Sequence, residues 1–263
     1  DSTFEGESTT FGDFSGLDDL MTEDPAVVDG FADVYNRWID LGIDGFRIDT
    51  VKHVNFEFWE EWTTQVKDYA ASVGKPDFFM FGEVYDADPK KTSPYVRSTD
   101  MDSVLDFTFQ SQAVGYASGN SARGLANLFA GDDYYTTPHS SATALPTFLG
   151  NHDMGRVGYF LQNTDNALQR DVLAHELMFL TRGQPVVYYG DEQGFAGMKT
   201  GLGSLLVSTC AKGIYTETPV TLPAESLAEL RLENGFDPRT GQQETRCTFH
   251  VPREIIPEAV ENA

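Results

Sequence analysis

Three carboxylates close three short apolar runs. Asp49 follows Gly45-Phe46-Arg47-Ile48, Glu83 follows Phe78-Phe79-Met80-Phe81-Gly82, and Asp153 follows Leu145-Pro146-Thr147-Phe148-Leu149-Gly150-Asn151-His152. Such groups could do paired acid/base work. Breaking a glycosidic bond needs one carboxyl to protonate the leaving oxygen and a second to capture the developing oxocarbenium ion. Arg47 stands two residues before Asp49, on the same strand face, where its charge would keep Asp49 ionised and aimed as a nucleophile. Glu83, brought in by an apolar strand near the negative charges of Asp49 and Asp153, is expected to hold its proton to raised pH, as a general acid must. His152 and Asp153 are suited to binding sugar hydroxyls and holding a distorted ring. Spacing alone does not prove this chemistry.

These residues need elements to position them. From Ala26 to Leu41, Val27, Val28, Phe31, Val34, Tyr35, Trp38 and Ile39 recur at three- and four-residue spacing, which predicts an amphipathic helix opened by Asp24-Pro25 and ended at Gly42. The strand Gly45–Asp49 follows, then a helix from about Phe56 to Ser72. Strands are predicted at Phe78–Glu83, Val104–Phe107, Leu145–Gly150 and Pro185–Gly190, with a helix from about Ala167 to Leu180. Near-continuous apolar strands alternating with helices imply a parallel sheet buried on both faces. Carboxylates at the C-terminal ends of different strands favour a TIM barrel over a doubly wound sheet. After Gly197 the composition shifts to Thr, Glu and Pro, with strand-like Ser204–Val207 and a predicted helix from Pro223 to Leu232. Trp59 and Trp62, at helical spacing with Phe58, are expected in the core, and Tyr134 and Tyr135 as exposed sugar platforms.

Composition bounds the partners. The chain has 263 residues, 40% hydrophobic and 13% aromatic, enough for one large α/β domain or one and a half smaller ones. Eighteen basic residues against 41 acidic ones give a net charge of −23, which disfavours nucleic acid and anionic membrane surfaces and otherwise reads as solubility or habitat. Cys210 and Cys247 are the two cysteines, so no disulfide framework is expected, and a single bridge between them stays open. No run approaches the roughly 20 apolar residues of a membrane span. The start, Asp1-Ser2-Thr3-Phe4, has neither an initiator Met nor a signal-peptide pattern, so a soluble chain whose start is processed or cut from something longer is expected.

Asp44-Gly45-Phe46-Arg47-Ile48-Asp49-Thr50-Val51-Lys52-His53, Phe81-Gly82-Glu83-Val84 and Phe148-Leu149-Gly150-Asn151-His152-Asp153 together resemble, in order and spacing, three regions of the α-amylase family, glycoside hydrolase family 13. Gly16-Leu17-Asp18-Asp19-Leu20 resembles a region near the end of that family's inserted small domain, and Gly183 to Glu192 resembles its last barrel strand, so the likeness spans about residues 13–197. The resemblance implies a (β/α)8 barrel and a retaining double displacement on α-1,4-linked glucans such as starch or maltooligosaccharides. By that resemblance Asp49 is nucleophile, Glu83 acid then base, Asp153 the group that binds the distorted sugar, and Arg47 and His152 their partners. It further implies that Lys52 and His53 line the subsites for the leaving sugars, that Asp19 and the His53 backbone carbonyl belong to a structural calcium site, and that the protein is secreted.

Other parts of the family pattern are missing. No segment matches its first region, which ends in Asn-His; the Asn-His pair present is Asn151-His152. Mapped onto the family, residues 1–22 are the end of the inserted domain, 23–197 hold barrel strands four to eight, and 198–263 match nothing recognised. Five strands cannot close an eight-stranded barrel, and the exposed edge that remains points to a fragment of a longer gene product. Ordinary readings stand beside the functional ones: strand-end carboxylates that cap helices, a solvated Lys52-His53 pair, and Asp19 as a turn residue. An α-1,6-acting or transglycosylating relative shares every residue named, and a non-catalytic glucan-binding fragment is the rival from another class.

Overall fold

The carboxylate-bearing strands are set up by the helices packed against them. The computed structural model describes residues 10–12, 18–196, 229–236 and 243–250. Contacts divide the chain into two units, one built from residues up to Asn151 and from Arg156 to Ala196, the other from His152–Gly155 and residues from Gly197 onward.

In the first unit, Asp24 accepts a hydrogen bond from Ala26 N at 2.9 Å and caps α1 (Pro25–Asp40), whose first helical position is Pro25. The helix stops at Gly42, where φ is +104°, a conformation glycine adopts without penalty. Its inner face buries Val28, Ala32 and Ile39 and sets Phe31 and Tyr35 edge-on to Phe58 and Trp62 of α2 (Phe56–Ser72). Trp59 and Trp62 are buried, as the spacing predicts, and Trp59 donates its indole N–H to Val51 O at 2.8 Å.

Between these helices runs β1 (Gly45–Ile48), which pairs in parallel with β2 (Phe79–Gly82); β2 pairs in parallel with β3 (Ser103–Val104). After the one-turn helices α3 (Pro89–Thr92) and α4 (Pro94–Arg97) ahead of β3, the chain continues through α5 (Phe107–Ala117) and α6 (Arg123–Ala130) to β4 (Pro146–Phe148). Asp106 N donates to Pro146 O at 3.0 Å and joins the exit of β3 to β4. The helices α7 (Val157–Leu161) and α8 (Ala167–Leu180) lead to β5 (Gln184–Val186), which pairs in parallel with β4. Helices thus separate strands that pair in parallel in chain order.

Several expectations are corrected. The strand predicted at Val104–Phe107 ends at Val104, because Asp106 turns its carboxylate onto Phe109 N at 2.8 Å and caps α5, which begins at Phe107. The strand predicted at Pro185–Gly190 stops at Val186, since Gly190, at φ +89°, closes a turn over residues 188–195. Burial on both faces holds for β3 and β4, but β1 is half-buried to exposed and β5 exposed.

In the second unit, β6 (Glu229–Phe236) and β7 (Gln243–His250) form an antiparallel hairpin. The helix predicted from Pro223 to Leu232 is therefore overturned over Glu229–Leu232, where Leu230 and Leu232 alternate with Glu229, Arg231 and Glu233 at the period of a strand. Its beginning, the strand-like Ser204–Val207 and Cys210 lie outside the described residues, as do the side chains of the hairpin, Cys247 included.

Candidate active site

β1 and β2 lie side by side in register, so the residues that follow them, Asp49 and Glu83, emerge at neighbouring positions. Main-chain hydrogen bonds fix this junction: Glu83 N donates to Ile48 O at 2.7 Å and Val51 N donates to Glu83 O at 3.0 Å. Gly82 has no room for a side chain, since a Cβ there would stand 2.7 Å from Met101 Sδ and 2.8 Å from Val51 Cγ2. The turn after Asp49 passes through Thr50 at φ +51°, a conformation that is costly for a β-branched residue. That turn aims Thr50 N at Glu83, and it donates to Oε2 at 3.1 Å.

Arg47 joins the two acids. Its Nη1 donates to Asp49 Oδ1 at 2.5 Å, and its Nη2 stands 3.5 Å from Glu83 Oε1. The acids differ in exposure: the Asp49 side chain is 62% exposed and that of Glu83 8%. Burial is the main cause that raises the Glu83 pKa; a hydrogen bond and the charge of Asp49 add to it, while the Thr50 amide and Arg47 oppose it. The expected direction therefore holds, but its leading cause is desolvation rather than neighbouring charge.

Lys52 and His53 occupy the 3-10 turn Val51–His53 directly after Asp49 and Thr50. Lys52 Nζ donates to Tyr85 O at 2.8 Å and lies 5.7 Å from the centre of the Tyr85 ring. Tyr85 is exposed, two residues beyond Glu83, and its ring packs 4.7 Å from that of Phe107. His152 and Asp153 belong to the second unit, where His152 Nε2 is 3.4 Å from Asp153 Oδ2. Tyr134 is partly exposed, but Tyr135 is 4% exposed and shares a 2.6 Å hydrogen bond with Thr92 Oγ1, so the expected platform at Tyr135 is instead a core residue. Burial pushes its phenol up to about 12.

Asp19 Oδ2 accepts from Gly12 N at 2.8 Å. Among the described residues no three His, Cys, Asp or Glu side chains stand together as a metal group.

Sequence reasoning passed over Thr50, whose role lies in its backbone and leaves no mark in its residue type. It also passed over Tyr85, although its position two residues after Glu83 was visible.

The sequence model of the alpha-amylase catalytic domain matches residues 1–244. The chain belongs to the alpha-amylase family. It is 60% identical over 206 residues to an alpha-amylase of Streptomyces lividans, a match that covers 75% of this chain and 22% of that protein. A cyclomaltodextrin glucanotransferase of Klebsiella oxytoca is 29% identical over 199 residues, covering 67% of this chain and 30% of the relative. Among solved structures, an Anoxybacillus alpha-amylase superposes with a TM-score of 0.63 at 35% identity, covering 70% of this chain and 40% of its own. The alpha-amylase of Geobacillus thermoleovorans complexed with acarbose gives 0.65 at 31% identity, covering 73% and 42%. The chain thus spans less than half the length of each of these relatives. The family is one of glycoside hydrolases with a TIM-barrel-type catalytic domain, in keeping with the parallel strands and intervening helices of the first unit.

Proposed function

We propose that this chain carries the nucleophile and the acid/base of a retaining hydrolase of α-1,4-glucans, with β1 to β5 as the fourth to eighth strands of a barrel completed by a longer protein. One observation carries the reading: Arg47 binds an exposed Asp49 and a buried Glu83 at the ends of adjacent parallel strands.

In the first step Asp49 attacks the anomeric carbon while Glu83 gives its proton to the departing glycosidic oxygen, and the carbon–oxygen bond to the leaving sugar breaks. In the second, Glu83 takes a proton from water, water attacks the same carbon, and the ester to Asp49 is released. Asp49 and Glu83 follow strands paired in register and meet the same Arg47 guanidinium, a closeness that supports retention, because inverting enzymes hold their carboxyls roughly 6.5–9.5 Å apart. Arg47 holds Asp49 through a 2.5 Å hydrogen bond, and burial favours the protonated form of Glu83 that the first step needs. His152 and Asp153 bind the distorted sugar, and Lys52 and His53 line the side of the leaving sugars.

Release of reducing sugar from soluble starch by this chain, beside Asp49→Asn, tests the proposal; turnover that survives in the variant overturns it. A transglycosylating relative is the second reading, favoured by the likeness to a cyclomaltodextrin glucanotransferase. It differs in whether water or a sugar hydroxyl takes the second step, and the ratio of cyclic or lengthened products to glucose and maltose distinguishes them. A structural calcium ion held in the longer protein in part by Asp19 and the His53 carbonyl, and secretion of that protein, rest on family likeness.

A further inference from the structure

Arg156 is a buried arginine outside the site just described, and its surroundings are closely built. Its side chain is 2% exposed and Nη1 lies 3.1 Å from Asp191 Oδ1, itself 2% exposed. The same nitrogen donates to Tyr189 O, and the guanidinium stands 4.3 Å, 4.8 Å and 5.5 Å from the ring centres of Tyr188, Tyr189 and Phe195. The turn that supplies these groups is folded on itself: Asp191 N donates to Tyr188 O and Phe195 N to Gly190 O, both at 3.0 Å. A side chain at Gly190 would strike the Phe195 ring at 2.3 Å, and one at Gly158, two residues after Arg156, would meet Phe195 O at 2.8 Å.

An ion pair buried this deeply is a costly way to gain stability, since desolvation offsets most of its attraction, whereas its geometry is demanding. Its place in the chain gives that geometry a use. The chain leaves the first unit at Asn151 and returns to it at Arg156, and the excursion between carries His152 and Asp153. The departure is also held from within the first unit: Gln110, buried on α5, donates Nε2 to Leu149 O at 3.1 Å.

We propose that Arg156 and Asp191 are positioning residues which, with Gln110, clamp the two ends of the segment carrying His152 and Asp153. The proposal deepens the reading above and rests on it for the role of Asp153. Gln110 holds Leu149 and Asp191 holds Arg156, so both ends of the segment are tied down by side chains of the first unit. Arg156 touches no substrate in this scheme and acts through the backbone it anchors. The contacts divide the labour: Asp191 supplies the charge, Tyr189 O a second acceptor, and the three rings surround the guanidinium.

Hydrogen exchange of this 263-residue chain tests the clamp without requiring turnover. In Arg156→Lys and Asp191→Asn, the amides of residues 151–156 are expected to exchange at least about tenfold faster than in the wild type, while those of α2 keep their rates. Unchanged exchange at 151–156 overturns the proposal, and so does an equal loss of protection in α2, which would make the pair a general support of the fold. Asp153→Asn separates this proposal from the reading beneath it. Asp153→Asn is expected to leave exchange at 155–156 unchanged and to weaken binding of maltoheptaose, followed by calorimetry, about tenfold. A variant that binds maltoheptaose as the wild type does would remove the role given to Asp153 while leaving the clamp in place.

Discussion

Two clusters in the first unit are made of the same parts and built for opposite ends. At the end of β1 and β2, Arg47 meets Asp49 and Glu83; before β5, Arg182 meets Asp106 and Asp132. Arg182 donates to Asp106 Oδ2 through Nη1 and to Asp132 Oδ1 through Nε and Nη2 at 2.9 and 2.7 Å. Asp106, 1% exposed, spends its other oxygen capping α5. Burial raises its pKa against the pull of Arg182. There the charges are enclosed and their hydrogen bonds committed. In the Arg47 cluster one carboxylate stays open to solvent, and the other is held by a backbone amide offered from a strained turn. Two acids on one arginine are therefore no sign of chemistry in themselves; exposure and strain set the cluster proposed to react apart from the enclosed one.

Substitutions can break this contrast. The largest effect expected is on turnover: Glu83→Gln and Asp49→Asn should each lower kcat/KM on starch by up to about 10⁴-fold, and Asp132→Asn should leave it within about twofold per folded molecule. Comparable losses in all three would erase the distinction. Next, Arg182→Ala leaves Asp106 buried without its cation and should cost about 3–5 kcal/mol in urea unfolding while sparing kcat at a temperature where the variant is folded. A smaller effect attaches to Thr50→Gly, which removes the penalty of a left-handed threonine and should add about 1 kcal/mol of stability; a loss instead would mean that the turn is not strained.

The finest test concerns protons. The Glu83 pKa is raised in the folded chain, so the ionised form is the one the fold disfavours, and that cost appears as pH rises through the folded value. Glu83→Gln should thus raise Tm at neutral pH, with the advantage fading as pH falls below the ordinary glutamate range, where both forms are neutral. Asp49 contributes to the upward shift, so carbon NMR of the Glu83 carboxyl should show it titrating at lower pH in Asp49→Asn. No movement would mean that the two acids are not coupled.

Much of the fold could be read where one signal was strong. The helix α2 starts and stops where its apolar spacing places it, and α1 begins one residue earlier, at Pro25, because Asp24 and Pro25 are local capping signals. Strand ends were harder to read. Leu105 and Phe107 continue an apolar run in sequence, yet Asp106 between them is drawn into capping α5, a choice made by Phe109 N three residues on. Tyr135 sits in a polar stretch and is buried all the same, because Thr92, 43 positions earlier, meets its hydroxyl. Of the site, Arg47, Asp49 and Glu83 were legible because strand periodicity and pairing bring them together. The Arg156–Asp191 pair was not, since it joins residues 35 positions apart through a turn whose shape depends on Gly190.

The hydrogen bonds between the end of β1 and Glu83 have a consequence for how such a site can change over time. Three of them run from or to main-chain atoms, at Ile48 O, Thr50 N and Val51 N, and do not depend on which side chains stand at those positions. The spacing of Asp49 and Glu83, the proposed nucleophile and acid, is therefore inherited with the strand pairing itself. Surrounding side chains such as Lys52 and Tyr85 are left free to vary, so under the proposed function new sugar preferences can be explored by lineages that never have to rebuild the pair of acids.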